Sequence, residues 1–229
     1  MILMSSANFN KVFLGIETPS IESLKECGKY QNLTLDLEEA IITIHQHGMQ
    51  VMGGFIVGFD NDRCDIFDSQ INFIQKTGVV TAMVGILTAL PETKLWKRLK
   101  GERRLISDAD GNNTGGSLNF IPKMGTRELV NGYKKILTTI YDPKYYYQRI
   151  DTFTKNYKST VKSKLTMDRS IKPFLKSILR IGMFSKNKWL FWKMIFKTLF
   201  TNPKAFPIAI ELAIMGTHLA AMTAEVVNA

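Results

Sequence analysis

Three stretches of the sequence are almost continuously apolar: Lys11–Ile16 (KVFLGI), Val51–Gly58 (VMGGFIVG) and Val80–Thr88 (VTAMVGILT). Short runs without strict alternation suit strands covered on both faces of a parallel sheet. Between them the period becomes helical. Leu37, Ala40, Ile41 and Ile44 mark one face of a helix over Leu35–His47, with Gly48 as its stop. Ile66, Phe67, Ile71 and Ile74 do the same over Asp65–Lys76, which Gly78 ends. Shorter helices are expected at Ser20–Cys27 and Pro91–Leu99. The alternation of strand and helix predicts right-handed βαβ units, so the fold class is α/β. Three parallel strands do not close a barrel and leave apolar edges. The chain therefore reads as the back half of something larger.

Residues 101–126 are polar and rich in Gly and Asn, and read as a long loop of the kind that more often serves a function than fills space. Helices resume at Thr126–Tyr141 and Pro143–Tyr157, with Pro143 well placed to begin the second. Two amphipathic basic helices follow, at Ile171–Phe184 and Lys186–Phe200. In the second, Lys186, Lys193, Lys197 and Lys204 share one face, and Trp189, Phe191, Trp192, Phe196 and Phe200 occupy much of the rest. That pattern suits a helix lying in a membrane interface. It equally suits a helix docked on the main domain with its lysines in water. Pro207–Ala224 is long and apolar, but Glu211 and His218 are costly at bilayer depth, so a buried or interfacial helix is expected. The organisation is 1–100 as a half-barrel, 101–157 as a loop and capping helices, and 158–229 as a basic, aromatic helical extension.

Charge sharpens that last division. The 229 residues carry a net charge of +10. Residues 1–154 are neutral overall, whereas 155–204 hold 13 basic residues and one acidic residue. Such asymmetry points to an anionic surface, membrane or nucleic acid, or else to a solvated basic face. With 45% apolar and 22% charged residues, disordered and collagen-like classes are excluded. Cys27 and Cys64 make no disulfide framework and fall one short of the three thiolates that usually hold an iron–sulfur cluster. The opening MILMSSANFN shows no basic region ahead of an apolar run, so a cytoplasmic setting is expected.

Candidate chemistry lies at the strand ends, because ligands sit at the carboxyl ends of parallel strands. Gly15, Glu17 and Thr18 follow the first strand. Glu17 stands where a carboxylate could accept hydrogen bonds from a ribose, or simply where a helix-start acid belongs. The second strand carries Gly53, Gly54 and Gly58 around Ile56, and glycines in a buried strand mark close approach of a backbone or ligand. Asp60, Asp62, Asp65 and Asp68 resemble acids at a helix N-terminus rather than a metal site. After the third strand, Leu90 and Pro91 either border a ligand or form an ordinary strand-to-helix turn. His45 and His47 point in different directions from one helix and are poor co-ligands.

Taken together, GIETPSIESLKECGKYQN, GGFIVGFDND, TAMVGILTALPETKLWKRL, LNFIPKM and YDPKYYYQRI resemble the second half of radical S-adenosylmethionine (SAM) proteins with an N-terminal cobalamin-binding domain. Within these they resemble the subgroup with a C-terminal extension of unknown function (DUF4070-like), which includes hopanoid methylase-like proteins. The resemblance covers residues 8–157 and continues more weakly to GTHLAAMT at 216–223. It implies a partial (β/α) barrel of which the three strands are the fourth, fifth and sixth, with MILMSSANFN ending the preceding helix. It implies that Glu17 contacts the SAM ribose, that Gly54, Ile56 and Gly58 lie against its adenosyl part, and that Leu90 and Pro91 border the adenine. Glu92 stands where a glycine is usual. The CxxxCxxC motif that ligates the 4Fe–4S cluster, the motif for the methionine amino group and the cobalamin domain do not occur in these residues.

The resemblance implies one-electron cleavage of SAM, hydrogen abstraction from an unactivated carbon by a 5′-deoxyadenosyl radical, and methyl supply from methylcobalamin. The expected substrate is a small or lipid-like molecule, with 186–204 on the inner face of a membrane. The chain alone is not expected to react: it reads either as a fragment of one longer enzyme or as a split product whose missing half another chain supplies. Two other readings stand beside this one: a non-catalytic remnant or subunit that binds a partner, and an RNA-modifying radical SAM enzyme. Against RNA, the basic helix sets lysines beside a wide greasy face where nucleic-acid surfaces carry more arginine.

Overall fold

A computed structural model describes residues 1–108, 118–158 and 178–228. The elements are α1 (Ile2–Ser6), β1 (Lys11–Glu17), α2 (Ile21–Glu26), a 3-10 turn (Tyr30–Leu33), α3 (Leu37–Gln46), β2 (Gln50–Val57), α4 (Ile66–Thr77), β3 (Thr81–Ile86), α5 (Lys94–Gly101), α6 (Thr126–Ile140) and α7 (Pro143–Asn156). A π-helical turn (Ile178–Met183), α8 (Lys188–Thr201), a 3-10 turn (Pro203–Ala205) and α9 (Phe206–Asn228) complete them. The three expected strands are present and parallel, in the order β1-β2-β3. Several helix starts fall where a side chain satisfies an orphan N–H. Ser20 accepts from Ser23, Asp36 from Glu39 and Thr93 from Trp96. The helix expected at Pro91 therefore begins at Lys94. Of the helix expected at Ile171–Phe184, residues 171–177 lie outside the described part, as do 109–117 of the expected loop.

One face of the sheet carries the core. Ile16, Val51, Phe55, Val57, Ala82, Val84 and Ile86 are buried with residues of α3, α4, α6 and α7. The other face departs from the expected two-sided burial. Phe13 is 61% exposed and Met83 52% exposed, and Gly15, Met52, Gly54, Ile56 and Gly85 beside them are only partly covered. A continuous apolar run looks the same whether its second face meets a helix of its own chain or open space, which is why the sequence pattern missed this.

The carboxyl-terminal helices close the amino-terminal ends of the strands. Tyr141 donates its hydroxyl to the Ala82 carbonyl (2.5 Å) and Tyr146 to Leu212 (2.8 Å). Lys11 pairs with Glu211 at 2.6 Å, and the Thr81 hydroxyl meets the Met215 sulfur. The buried Arg149 guanidinium lies beside both the Tyr141 and Tyr146 rings and donates to Gln75 (2.8 Å) and to the Val80 carbonyl (3.4 Å). Burial pushes it down to about 10, since no carboxylate faces it among the described residues. The YDPKYYYQRI segment is thus a clamp: Asp142 caps α7, Pro143 opens it, and two tyrosines and Arg149 tie it to the sheet and to α9.

Among the described residues one segment, Pro203–Val227, is long and apolar enough to cross a membrane by length and composition, with 28% of its most apolar window buried. Glu211 within it is held by the sheet through Lys11. Gly216 is the point where α9 meets the clamp, because a Cβ there would enter the Tyr146 ring. Gly216→Val is expected to lower the melting midpoint by about 4–8 °C: overpacking costs about 1–3 kcal/mol, more than the helix propensity regained. Thermal unfolding followed by circular dichroism checks this, and an unchanged midpoint would mean that the ring does not rest on Gly216.

Candidate functional site

The site candidates converge at the carboxyl ends of the strands. Gly15 pairs with Gly54, and Gly54 with Met83; one pair further on, Ile56 faces Gly85. Gly15, Gly54, Ile56 and Gly85 therefore share the open face, which has a nearly bare backbone floor where three strands meet. Phe13 reaches across it: a Cβ on Gly54 would stand 3.0 Å from Phe13 Cζ.

β1 ends in a bulge between Gly15 and Glu17. The Thr18 N–H closes a three-residue turn onto the Ile16 carbonyl (2.9 Å), with Glu17 at its centre in the left-handed region, φ 65°. A non-glycine residue there is strained, and such strain gathers at functional sites. The turn is held from both sides. Asn32 donates to the Gly15 and Ile16 carbonyls (3.2 Å each), and Gln70 donates to the carbonyls of Ile56 (2.7 Å) and Glu17 (3.5 Å). Gln70 is fully buried, and its Oε1 has no partner among the described residues.

The strained turn folds the Glu17 carboxylate back over the floor. Its Oε1 lies 2.7 Å from where a Gly15 Cβ would stand and 2.9 Å from Lys29 Nζ. No hydrogen bond to the second oxygen, Oε2, occurs among the described residues, and the side chain as a whole is 15% exposed. Thr18 is buried, and its hydroxyl accepts from the Ser20 N–H, so it serves the turn. Gly58, at φ 106°, has Leu129 Cδ2 2.9 Å from its absent Cβ; it lets the chain leave β2 beneath α6.

Beyond Gly58, Asp65 and Asp68 stand at the start of α4 as expected, whereas Asp60 and Asp62 are engaged elsewhere. Asp62 accepts from the Gly58 and Phe59 N–H groups and from the Ser23 hydroxyl (2.8, 3.1 and 2.6 Å). Burial pushes its carboxyl up, and those donors pull it back. Asp60 accepts two short bonds from Arg104 and pairs with Arg98 at 3.1 Å; Arg104 holds its carboxyl below the usual range. Glu26 completes this network by accepting from Arg98 and from the Asp60 and Asn61 N–H groups. The cluster locks α2, the β2 exit and α5 together at the upper end of the sheet.

After β3, the Leu87 N–H bonds the Val57 carbonyl, so the β2 and β3 exits run side by side. Leu90 and Pro91 are exposed there, and Glu92 occupies the left-handed region at φ 64°. The backbone turn that a glycine would make is therefore kept with a glutamate in it. Asn119, which the sequence reading passed over, pairs through its side-chain amide with both the N–H (3.0 Å) and the carbonyl (2.8 Å) of Ala89. It acts as a one-residue strand partner, and its position between apolar residues in LNFIPKM was the available signal. A bridge between Leu105 and Phe120 ties the two described ends of the expected loop together.

Residues 93–229 match the family described as Domain of unknown function (DUF4070). Over 228 residues, 95% of this chain and 41% of the relative, it is 34% identical to the uncharacterized methyltransferase sll1242 of Synechocystis sp.. Over 205 residues, 86% of this chain and 38% of the relative, it is 30% identical to the hopanoid C-2 methylase of Rhodopseudomonas palustris. It is 26% identical over 128 residues to the bacteriochlorophyllide d C-12(1)-methyltransferase of Chlorobaculum tepidum, covering 56% of this chain and 28% of that one. The chain spans about two fifths of the length of the first two relatives.

Proposed function

Because this chain belongs to the DUF4070 family and resembles proteins named as methyltransferases along 95% of its length, we propose that it is part of a methylating enzyme that holds SAM against the open sheet face. The observation that carries the reading is the glycine floor of Gly15, Gly54 and Gly85 with the Glu17 carboxylate folded over its rim. A flat purine needs a surface without side chains, and a ribose diol needs a fixed acceptor. Both are present, so the residues fit an adenosyl group.

In this reading Glu17 Oε2 accepts from the ribose hydroxyls while Lys29 fixes the other oxygen. Gly15 and Gly54 admit the ring, Ile56 contacts it, Gly58 shapes the exit, and Leu90 and Pro91 border it. When bound, SAM supplies the methyl and adenosyl chemistry of the reaction. The apolar Phe13 and Met83 line the approach and suit a lipid-like substrate while excluding water.

A 4Fe–4S cluster does not fit the described residues. The chain has two cysteines, both exposed, and no group of three His, Cys, Asp or Glu comes together among the described residues. The cluster and the cobalamin implied by the resemblance are proposed to be held outside residues 1–229.

The test is made on the intact enzyme with methyl-labelled SAM. Retention of SAM in dialysis, together with transfer of label to an organic-soluble product, is expected. Retention without transfer under reducing conditions would overturn methylation, and absence of retention would overturn the site.

A further inference from the structure

The helices beyond residue 178 carry a surface that the candidate site does not use. In α8, Phe191, Met194, Ile195 and Thr198 are buried among α7, α9 and the π-helical turn. The outer side exposes Trp189 (74%), Phe196 (56%) and Phe200 (87%). Spacings of seven and four place these rings in one row along the helix. Phe184, 79% exposed, stands just before the helix. A contiguous apolar strip of this kind marks an interaction surface.

The lysines identify the partner. On α8, Lys193 and Lys197 form a second, shorter row beside the rings, Lys186 stands just before the helix and Lys204 in the 3-10 turn after it, and residues 178–204 contain no acidic side chain. Lys197 is engaged by Asp151 at 2.8 Å; Lys186, Lys193 and Lys204 make no ion pair among the described residues. At the carboxyl end of α8 lies a cleft of about 440 Å³ lined by Lys155, Lys158, Lys204, Tyr157, Thr201 and Asn202. Asn202 fixes its wall by donating to the Thr154 and Tyr157 carbonyls (2.8 and 2.7 Å).

We propose that α8 and this cleft dock the protein on an anionic phospholipid bilayer. The rings enter the boundary between headgroups and acyl chains, and the lysine row and cleft meet the lipid phosphates. Aromatic residues favour that depth, and lysines reach phosphates from it on long apolar stems. The contacts of this helical layer with the sheet, Tyr141 to Ala82, Arg149 to Val80 and Lys11 to Glu211, lie at the amino-terminal ends of the strands. The helical layer that carries α8 is therefore anchored at the amino-terminal ends of the strands, opposite the ends that carry Glu17 and Leu90. This inference rests on the helices alone and is independent of the methylation reading.

The full chain is floated with vesicles of phosphatidylcholine, with and without phosphatidylglycerol, at low and high salt. Binding to the anionic vesicles that salt weakens is expected. Trp189→Ser, Phe196→Ser and Phe200→Ser should each weaken it at least about tenfold, because each removes a ring from the apolar boundary. Lys193→Glu with Lys204→Glu should weaken it at low salt alone. All five side chains lie on the outer surface, and unchanged melting curves separate lost docking from lost folding. A variant keeping Trp189 as its single tryptophan should be quenched by lipid brominated near the headgroup. Absence of vesicle binding, or binding unaffected by ring removal, overturns the proposal. So does salt-dependent binding to RNA without binding to vesicles. Retention of SAM is read in a separate experiment, so failure here leaves the site untouched.

Discussion

Gly54→Val in the intact enzyme is expected to weaken SAM retention by about 10- to 100-fold while changing fold stability by less than about 1 kcal/mol, whereas the neighbouring Gly53→Val is expected to do the reverse. The two positions are adjacent in β2 and point to opposite faces. At Gly54 the new Cβ meets Phe13 Cζ at 3.0 Å, the far end of a side chain that is itself 61% exposed and free to swing away. Valine also favours a strand, so the sheet tolerates it. The branched methyls then occupy the floor on which the adenosyl group is proposed to lie. At Gly53 the Cβ would stand 2.7 Å from Phe55 Cε2, 3.0 Å from Val79 Cγ1 and 3.1 Å from Ile16 Cδ1, all within the closed core. Overpacking there costs about 1–3 kcal/mol and lowers the urea midpoint. Equilibrium dialysis with labelled SAM and urea unfolding of both variants check the pair. If Gly54→Val retains SAM at wild-type strength, the open face is not the site.

That contrast marks where the sequence was legible. The three strands follow directly from their apolar runs, and the start at Ser20 was legible because its signal is local, whereas Asp36 and Thr93 cap helices expected to begin at Leu35 and Pro91. Gly15, Glu17 and Gly54 were legible as a group only through the resemblance; by chemistry alone each had an ordinary explanation. What the sequence did not reveal depends on partners far along the chain. The bulge that folds Glu17 over Gly15 needs Asn32 and Gln70, the latter more than fifty residues on. Asn119 reaches Ala89 across thirty residues, and Arg149 reaches Val80 across almost seventy. Asp60 and Asp62 looked like helix-start acids because Arg104 and Ser23, which engage them, are not their neighbours in sequence. The amphipathic pattern of α8 left docking and membrane contact open. The structure buries one side of it on α7 and leaves a second apolar side exposed, so the helix carries more apolar surface than docking uses.

A second large effect comes from His45, in the closed core where α3 meets α7. The imidazole is fully buried at the end of α3, edge-on to Phe153 at 4.8 Å between ring centres, and neither ring nitrogen has a partner among the described residues. Burial lowers it from 6.5 to about 4. The unfolded chain therefore takes up a proton as pH falls through about 6.5, while the folded chain resists until about 4. Stability linked to His45 is full above pH 6.5 and drains away as pH falls toward 4, by about 3 kcal/mol in all. Between about pH 7.5 and about pH 5 the loss should be about 2 kcal/mol, read as a lowered urea midpoint at unchanged slope. Asp60 and Asp151 are held below the usual carboxylate range by their cationic partners, so their contribution is lost only below about pH 4 and does not overlap this window. His45→Phe keeps the ring contact with Phe153 and removes the proton site. Its stability should change by less than about 0.5 kcal/mol over the same interval and exceed the wild type at pH 5. A wild-type midpoint that does not move between the two pH values would place His45 in contact with water or a hydrogen-bonding partner, and the contact of α3 with α7 would then be less tightly closed than its packing implies.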